Sequence, residues 1–291
     1  MEYLCHYTEL EKAKKIINSM SLKFGKIINS NDPIEIKKQD IFPPVSNITE
    51  EEENVIKELK LKLNWYLRKI LQVSCFSIGT IKNLRDYDFV ENGRIISTDI
   101  DLEDDLIENV FVQELLKRPP YYLPRMWAQY GEKHKGVCLI FNKKILIKQI
   151  QEQVKHLYNI NHRKVKYKDF LKNEGLELVY QSIKYSYEDL ITSDAKIIVN
   201  EELKSRSNYI YFTKDIDWKD EREYRFLLWN KPENDNFDNV YIKIDNESLI
   251  GVILGLDNKS SQLVKLSKDK AIRNIMKLKY DDTHISLREI H

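Results

Sequence analysis

Glycine is scarce in this sequence, which has 8 glycines among 291 residues. It contains no G-x-G-x-x-G pattern and no glycine-rich loop that ends in lysine and a hydroxyl residue. These two patterns hold dinucleotides and nucleoside triphosphates in the folds that use them. We therefore expect neither a Rossmann fold nor a P-loop nucleotide hydrolase.

The sequence also lacks an excess of charge of either sign. Lysine and arginine total 47 against 46 aspartate and glutamate, which gives a net charge of +1. The whole chain therefore exerts no electrostatic attraction on nucleic acid or on an anionic membrane, and any polyanion site must be local. The composition, 32% charged and 42% hydrophobic, is typical of a folded, soluble protein.

Long hydrophobic runs and paired cysteines are absent as well. No window approaches eighteen uninterrupted apolar residues, so we expect a cytoplasmic protein without a membrane partner. Cys5, Cys75 and Cys138 are odd in number and lie in apolar stretches, which predicts reduced core thiols. None of them has zinc-type spacing, and His156 and His162 do not share a helical face. We therefore expect no metal site.

The hydrophobic patterns predict an α+β fold with mostly antiparallel strands and flanking helices. Strand patterns cover residues 2–8, 71–78, 137–141, 209–212, 223–229, 240–244, 249–254 and 285–290. Helical spacing covers residues 9–20, 50–70, 121–134, 260–277 and most of 143–205, with a break near 159–165. Thr49 and Glu52 are expected to form a capping box before the second helix. We interpret residues 1–291 as a single domain with a helical insertion at about 143–205.

The segment Trp218–Trp229 contains charged residues where a strand enters the core. In an extended chain alternate residues share a face, so Glu221, Glu223 and Arg225 should point toward the same side as Leu227. Two interpretations are open. Glu221 and Glu223 are carboxylates positioned for catalysis, or Glu223 and Arg225 form a structural ion pair and Glu221 is solvated.

Five local motifs carry a resemblance to a known family. They are His6-Tyr7-Thr8, Asn31-Asp32-Pro33, Cys75-Phe76-Ser77, the block Met126–Phe141, and Trp218-x-x-Glu221-x-Glu223-Tyr224-Arg225. Together they resemble a widespread family of prokaryotic and phage proteins catalogued as a domain of unknown function. The resemblance spans nearly the whole chain, and the central block is its most specific part. This sequence departs from the family pattern at Gln129, Gly131 and Ile34-Glu35.

More distantly, the pattern resembles the ADP-ribosyltransferase superfamily, which places a His or Arg on the first strand, a Ser or Tyr on a middle strand and a Glu, often in an E-x-E pair, on a later strand. The resemblance implies that NAD is the substrate and that His6, Tyr7, Thr8 and Ser77 belong to its binding site. Glu223 would stabilise the oxocarbenium charge that develops when the bond from ribose to nicotinamide breaks. Glu221 would act as general base on the acceptor.

Each of these candidates has a structural alternative. His6 is equally expected as a core histidine, and Ser77 is more often a hydroxyl bonded within its own sheet. Trp127 and Tyr130 are core aromatics or platforms for a nicotinamide or adenine ring. Arg125 is a candidate phosphate contact, and a similar role for His134-Lys135 competes with that of a solvated helix end.

Three functions remain open from the sequence. The first is an ADP-ribosyltransferase-like enzyme or NAD glycohydrolase, as a toxin or anti-phage effector that modifies nucleic acid or protein. The second is a non-catalytic binding or sensor module in which the same residues form a buried polar network. The third is a metal-independent nuclease or other hydrolase that uses His6 and Glu223. The first two differ in whether Glu223 faces a cavity or is fully paired with Arg225 and Arg222.

Overall fold

The computed structural model of the protein describes residues 2–29, 49–80, 119–170, 185–281 and 284–290. The motif Asn31-Asp32-Pro33 and nearly all of the acidic stretch at 80–108 lie outside these residues, so the predictions made for them stay predictions.

The helices follow the predicted order, and several of their boundaries differ from the prediction. They are α1 (Leu10–Ser19), α2 (Glu50–Ile70), α3 (Pro124–Gln129), α4 (Lys143–Val154), α5 (Tyr187–Thr192), α6 (Ala195–Ile210) and α7 (Ser261–Asp269). The capping box of α2 is confirmed: the Thr49 hydroxyl accepts a hydrogen bond from Glu52 N, and the Glu52 carboxylate accepts one from Thr49 N. Among the described residues, no helix combines the length and apolarity needed to cross a membrane.

The strands confirm the α+β class with mostly antiparallel pairing. They are β1 (Glu2–Thr8), β2 (Ser21–Lys23), β3 (Gly25–Lys26), β4 (Gln72–Thr80), β5 (Val137–Asn142), β6 (Tyr158–Lys164), β7 (Lys166–Lys168), β8 (Thr213–Asp215), β9 (Glu223–Asn230), β10 (Tyr241–Lys243), β11 (Leu249–Leu254), β12 (Asn274–Asp281) and β13 (His284–Glu289).

The chain divides into two compact units. The first unit comprises residues 1–21, 76–148 and 243–291, and the second comprises 22–75 and 149–242. The interpretation of residues 1–291 as a single domain stays a prediction.

In the first unit the strand order is β13-β12-β11-β5-β1, followed by the C-terminal part of β4. All of these pairs are antiparallel except β11 with β12. Helix α7 connects β11 to β12, as a parallel pair requires a crossover. One face of this sheet carries a core that includes Tyr7, Trp127, Cys138 and Ile253.

In the second unit β9 pairs antiparallel with β6, and the N-terminal part of β4 pairs with β3. A parallel pair, β7 with β8, lies beside the turn that precedes β9. The core of this unit contains apolar residues of α2 and α6 together with Leu227 and Trp229 of β9.

Four predicted elements differ from the structure. Residues 209–210 end helix α6 and residues 211–212 follow it as a bend instead of forming a strand. Helix α7 stops at Asp269, and strand β12 begins at Asn274. The segment 143–205 contains strand β6 as well as helices. The predicted helix at 121–134 ends at Gln129. In β6 and β12, pairing with a distant strand overrode the local periodicity, and the left-handed residues 132–134 follow the early end of the helix at Gln129.

Candidate functional site

The candidate carboxylates lie at the start of β9. Glu223 and Arg225 point to the same side of the strand as the core residues Leu227 and Trp229, so their predicted shared face is confirmed. Glu221 does not belong to the strand. It ends a short 3-10 turn, Ile216–Glu221, and Arg222 then adopts a left-handed conformation with φ of 46°. The prediction that Glu221 continues the strand is therefore wrong, because this turn interrupts the alternation.

Glu223 is held by Arg225 in a two-pronged contact. Arg225 Nε donates to Glu223 Oε1 at 2.6 Å, and Nη2 donates to Oε2 at 2.9 Å. The remaining guanidinium nitrogen, Nη1, donates to the Tyr211 carbonyl oxygen at 2.6 Å. Glu223 is 4% exposed and Arg225 is 1% exposed, so water cannot compete for these bonds.

Lys214 of β8 joins the two carboxylates. Its Nζ donates to Glu221 Oε2 at 2.8 Å and lies 3.1 Å from Glu223 Oε2. The same ammonium lies 4.8 Å from the ring centroid of Trp218, in a cation–π contact. We call Lys214, Glu221, Glu223 and Arg225 the charge cluster. All four side chains are buried. The formal charges of the cluster balance because it contains two anions and two cations.

The surroundings keep Glu223 ionised. Burial by itself raises the pKa of Glu223, but the charges of Arg225 and Lys214 and hydrogen bonds from Arg225 and Cys75 lower that pKa to about 2. Its backbone N–H donates to the Tyr167 hydroxyl at 2.9 Å, and burial raises the pKa of this phenol well above its usual value. The neighbouring cations Arg225 and Lys214 therefore keep Glu223 ionised despite its burial.

The other predicted site residues belong to the first unit. In the register of β1 and β4, Cys5 lies opposite Ser77, so these two side chains share a face of the sheet. His6 points to the opposite face, where its ring contacts Phe76 at 5.3 Å between centroids. The Ser77 hydroxyl is buried and has no hydrogen-bond partner among the described residues. His6 and Ser77 are therefore separated by the sheet.

Tyr7 and Trp127 are core residues of the first unit. Their rings meet edge to face at 5.0 Å, the Tyr7 hydroxyl donates to the Pro120 carbonyl oxygen at 2.5 Å, and the Trp127 indole N–H donates to the Tyr121 carbonyl oxygen at 2.8 Å. Burial raises the pKa of Tyr7 well above its ordinary value. These contacts match the core interpretation of the two aromatics.

The remaining three candidates differ in exposure. Thr8 is buried at the end of β1, Tyr130 is half-buried and accepts a hydrogen bond from Gln129 Nε2 at 3.3 Å, and Arg125 is exposed on α3. Arg125 is thus a predicted binding residue whose side chain is exposed at the surface of the first unit.

A left-handed loop follows α3 in the motif block of the first unit. Glu132, Lys133 and His134 have φ of 50°, 51° and 70°, three consecutive residues in a conformation that usually needs glycine. His134 N donates to the Trp127 carbonyl oxygen at 3.3 Å, and the His134 carbonyl oxygen accepts from Asp257 N at 3.1 Å. The Glu132 carboxylate accepts from Leu10 N, the first residue of α1, at 3.0 Å. The expected helix end at His134-Lys135 is therefore this loop, fixed by its neighbours.

We expect Lys133→Gly to stabilise the protein by about 1 kcal/mol, because glycine occupies the left-handed region without the Cβ cost. Lys133 is exposed, so little packing is lost. Urea denaturation measures the change. Lys135→Gly is the matched control: it is also exposed but has no left-handed φ, and we expect it to be neutral or destabilising. Equal effects of the two substitutions would contradict this account of the loop.

Two residues that contact Glu223, namely Lys214 and Cys75, were not identified from the sequence. Lys214 is followed by the charged residues Asp215, Asp217 and Lys219, and nothing in this sequence distinguishes it from an exposed lysine. Cys75 was expected to be a core thiol like Cys5 and Cys138, which are buried, but it is exposed. That expectation is wrong for Cys75, whose side chain instead hydrogen-bonds Glu223. In the described ranges, no group of three or more His, Cys, Asp or Glu side chains could hold a metal ion.

Comparison with known proteins supports the resemblance to a domain family of unknown function. Residues 126–226, about a third of the chain, match a family model described as "Protein of unknown function (DUF2971)". This range contains Trp127, Tyr130, Glu221 and Glu223, whereas His6, Ser77 and Arg125 lie outside it. Neither the curated proteins nor the solved structures contain a match to the chain. The central part of the chain, from the left-handed loop to the charge cluster, is therefore similar to a domain family of unknown function.

Proposed function

We propose that this protein is a non-catalytic binding module in which the charge cluster holds the second unit in one conformation. The observation that carries the proposal is the saturation of Glu223. An ionised carboxylate has about four acceptor positions. Arg225 occupies two of them, Lys214 lies within ion-pair distance of Oε2, and the Cys75 side chain adds a hydrogen bond.

A saturated carboxylate is poorly suited to catalysis. To stabilise an oxocarbenium ion, Glu223 would also have to accept a hydrogen bond from a ribose hydroxyl, and it would first have to release a buried cation. Its pKa of about 2 also lies far from the value near neutrality that favours a general base. Glu221 is also paired with a buried cation, because it accepts a hydrogen bond from Lys214 Nζ. The pairing of Glu223 with Arg225 and Lys214, in place of the expected Arg225 and Arg222, supports the binding-module proposal.

A second candidate is the ADP-ribosyltransferase-like enzyme, with NAD as substrate. One observation favours it: Cys75 is exposed and hydrogen-bonds Glu223, so this carboxylate contacts a side chain that reaches the surface. Movement of Cys75 and Arg225 would uncover an ionised glutamate, and Glu221 would be its neighbour. In this proposal the protein acts as a toxin or anti-phage effector on a nucleic-acid or protein acceptor.

Nicotinamide release distinguishes the two candidates. We expect the wild-type protein to release no nicotinamide from NAD, alone or with RNA, DNA or cell lysate, and to show no thermal shift with NAD. Release by the wild type that is lost in folded Glu223→Gln, but kept in the exposed control Glu201→Gln, would overturn the binding-module proposal and support the enzyme. Circular dichroism at the assay temperature verifies that the Glu223→Gln variant is folded.

A further inference from the structure

Helix α2 of the second unit exposes two large apolar side chains. The exposed fraction is 72% for Leu61 and 57% for Trp65. Because these residues are four positions apart, they lie one above the other on one face of the helix. The side chains that α2 buries in the core of the unit lie on its other face: Ile56, Leu63, Tyr66, Leu67 and Ile70. The outer face of α2 is therefore apolar at its centre.

The Trp65 ring is held in place by two neighbours. It meets the Phe237 ring edge to face at 6.4 Å between centroids, and Lys69 Nζ lies 5.6 Å from the centroid of the Trp65 ring. More than half of the tryptophan side chain nevertheless stays exposed. Tryptophan is among the residues that contribute most to binding at protein interfaces. A fixed, accessible tryptophan beside an accessible leucine is thus the expected centre of a docking surface.

The charges of α2 differ between its two ends. The first turn consists of four glutamates, residues 50–53. The rest of the helix carries five lysine and arginine side chains and a single glutamate, Glu58, and the last turn contains Arg68 and Lys69. Such an order of charges favours the helix dipole, but the dipole does not account for two exposed apolar side chains.

One acid and one base occupy equivalent places on either side of the helix midpoint. Helix α2 spans residues 50–70, so its midpoint is residue 60, and Glu51 and Lys69 each lie nine residues from it. The 18 residues between them make five turns of about 3.6 residues, so the two side chains lie on the same side of the helix. That side also carries Trp65, four residues before Lys69. Glu51 and Lys69 are exposed, and neither forms an ion pair with another described residue.

We propose that two copies of the chain associate through this face, with their α2 helices antiparallel. A two-fold axis beside residue 60 brings Glu51 of one copy level with Lys69 of the other, and the symmetry repeats the pair at the opposite end. Leu61, next to the axis, meets its own counterpart, and Trp65 packs beside it. Parallel helices would instead place Glu51 beside Glu51 and Lys69 beside Lys69, which would repel. The charges thus favour a second copy as the partner and fix its direction.

Sedimentation equilibrium of the full chain tests the proposal over protein concentrations from about 5 to about 500 μM, because dimerisation follows mass action. We expect the wild type to form a dimer, and Leu61→Ser and Trp65→Ala each to raise the dissociation constant at least about tenfold. The two side chains are exposed, so circular dichroism should show that both variants are folded. Tyr280→Ala is the matched control: it removes an aromatic side chain that is 63% exposed in the first unit, and it should dimerise like the wild type.

Charge reversal tests the direction of the pairing. Glu51→Lys and Lys69→Glu should each raise the dissociation constant about tenfold, because each variant places like charges at both ends of its dimer. An equimolar mixture of the two variants should associate like the wild type, because a mixed dimer regains an attractive pair at each end.

Three results would overturn the proposal. They are a wild-type chain that stays monomeric throughout the concentration range, association that Leu61→Ser and Trp65→Ala leave unchanged, and a mixture of charge variants that associates no more tightly than its components. The contact involves no residue of the charge cluster, so it goes beyond the proposed function, and a monomeric chain would leave that function intact.

Discussion

Replacing Glu223 by glutamine is expected to lower the free energy of unfolding by about 3–5 kcal/mol, the cost of removing one partner from a buried ion pair. The substitution keeps the shape of the side chain but leaves Arg225, which is 1% exposed, without its anionic partner. Lys214 would lose its contact with Glu223 and keep the one with Glu221. Urea denaturation followed by circular dichroism measures the change as a shift of the midpoint.

Glu201→Gln provides the control for this substitution. Glu201 is exposed on α6 and pairs with Lys204 at 2.9 Å. Such a surface pair contributes little, so we expect a change within about 0.5 kcal/mol. If Glu223→Gln destabilised the protein no more than this control, the charge cluster would not be a structural element.

Protonation of Glu223 should lower the free energy of unfolding at acid pH. Because the pKa of Glu223 is lowered in the folded protein from its ordinary 4.5 to about 2, its contribution is fully present above the unfolded value. It is lost as the pH falls from about 4.5 toward 2. The wild type should therefore lose stability more steeply across this range than Glu223→Gln. Parallel pH profiles for the two proteins would contradict the lowered pKa.

The second large effect is expected from Gly255→Ala, with a loss of about 3 kcal/mol, at the upper end of the usual cost of overpacking. A Cβ at this position would lie 2.2 Å from the His134 carbonyl oxygen and 2.8 Å from its carbon. Both are backbone atoms of the left-handed loop, and that carbonyl oxygen already accepts a hydrogen bond from Asp257 N. No side-chain rotation can relieve the clash, so the loop itself must move.

Gly25→Ala is the matched control for Gly255→Ala. At Gly25 the nearest atom to a new Cβ, the Val73 carbonyl oxygen, is 4.0 Å away, so the substitution meets no obstruction. We expect a change within about 1 kcal/mol, measured by the same denaturation curves. If Gly255→Ala lowered the free energy of unfolding no more than Gly25→Ala, the left-handed loop would be able to move away from the new Cβ at little cost, which would contradict this prediction.

Elements defined by local patterns could be predicted from the sequence. The apolar runs of β1 and β5 and the alternation of β9 depend on neighbouring residues, and the capping box of α2 depends on Thr49 and Glu52 alone. The shared face of Glu223 and Arg225 follows from the same alternation. The nearest neighbours of Glu223 along the strand were therefore predictable.

Features set by distant contacts could not be predicted. Lys214 approaches Glu223 because β8 pairs with β7, and nothing near Lys214 in the sequence indicates that pairing. The left-handed loop depends on Gly255 and Asp257, which are more than a hundred residues away from it. His6 and Ser77 occur in the order that the resemblance requires, yet the register of β1 and β4 places them on opposite faces.

A double-mutant cycle on Glu223 and Arg225 tests the central claim, that these residues form a structural pair, most directly. Unfolding free energies would be measured for the wild type, Glu223→Gln, Arg225→Met and the double variant. We predict that each single change is strongly destabilising and that the double variant loses at least 1.5 kcal/mol less than their sum, because the second change removes the charge that the first leaves unpaired. Additive losses, within about 0.5 kcal/mol, would contradict the claim and leave Glu223 free for another role.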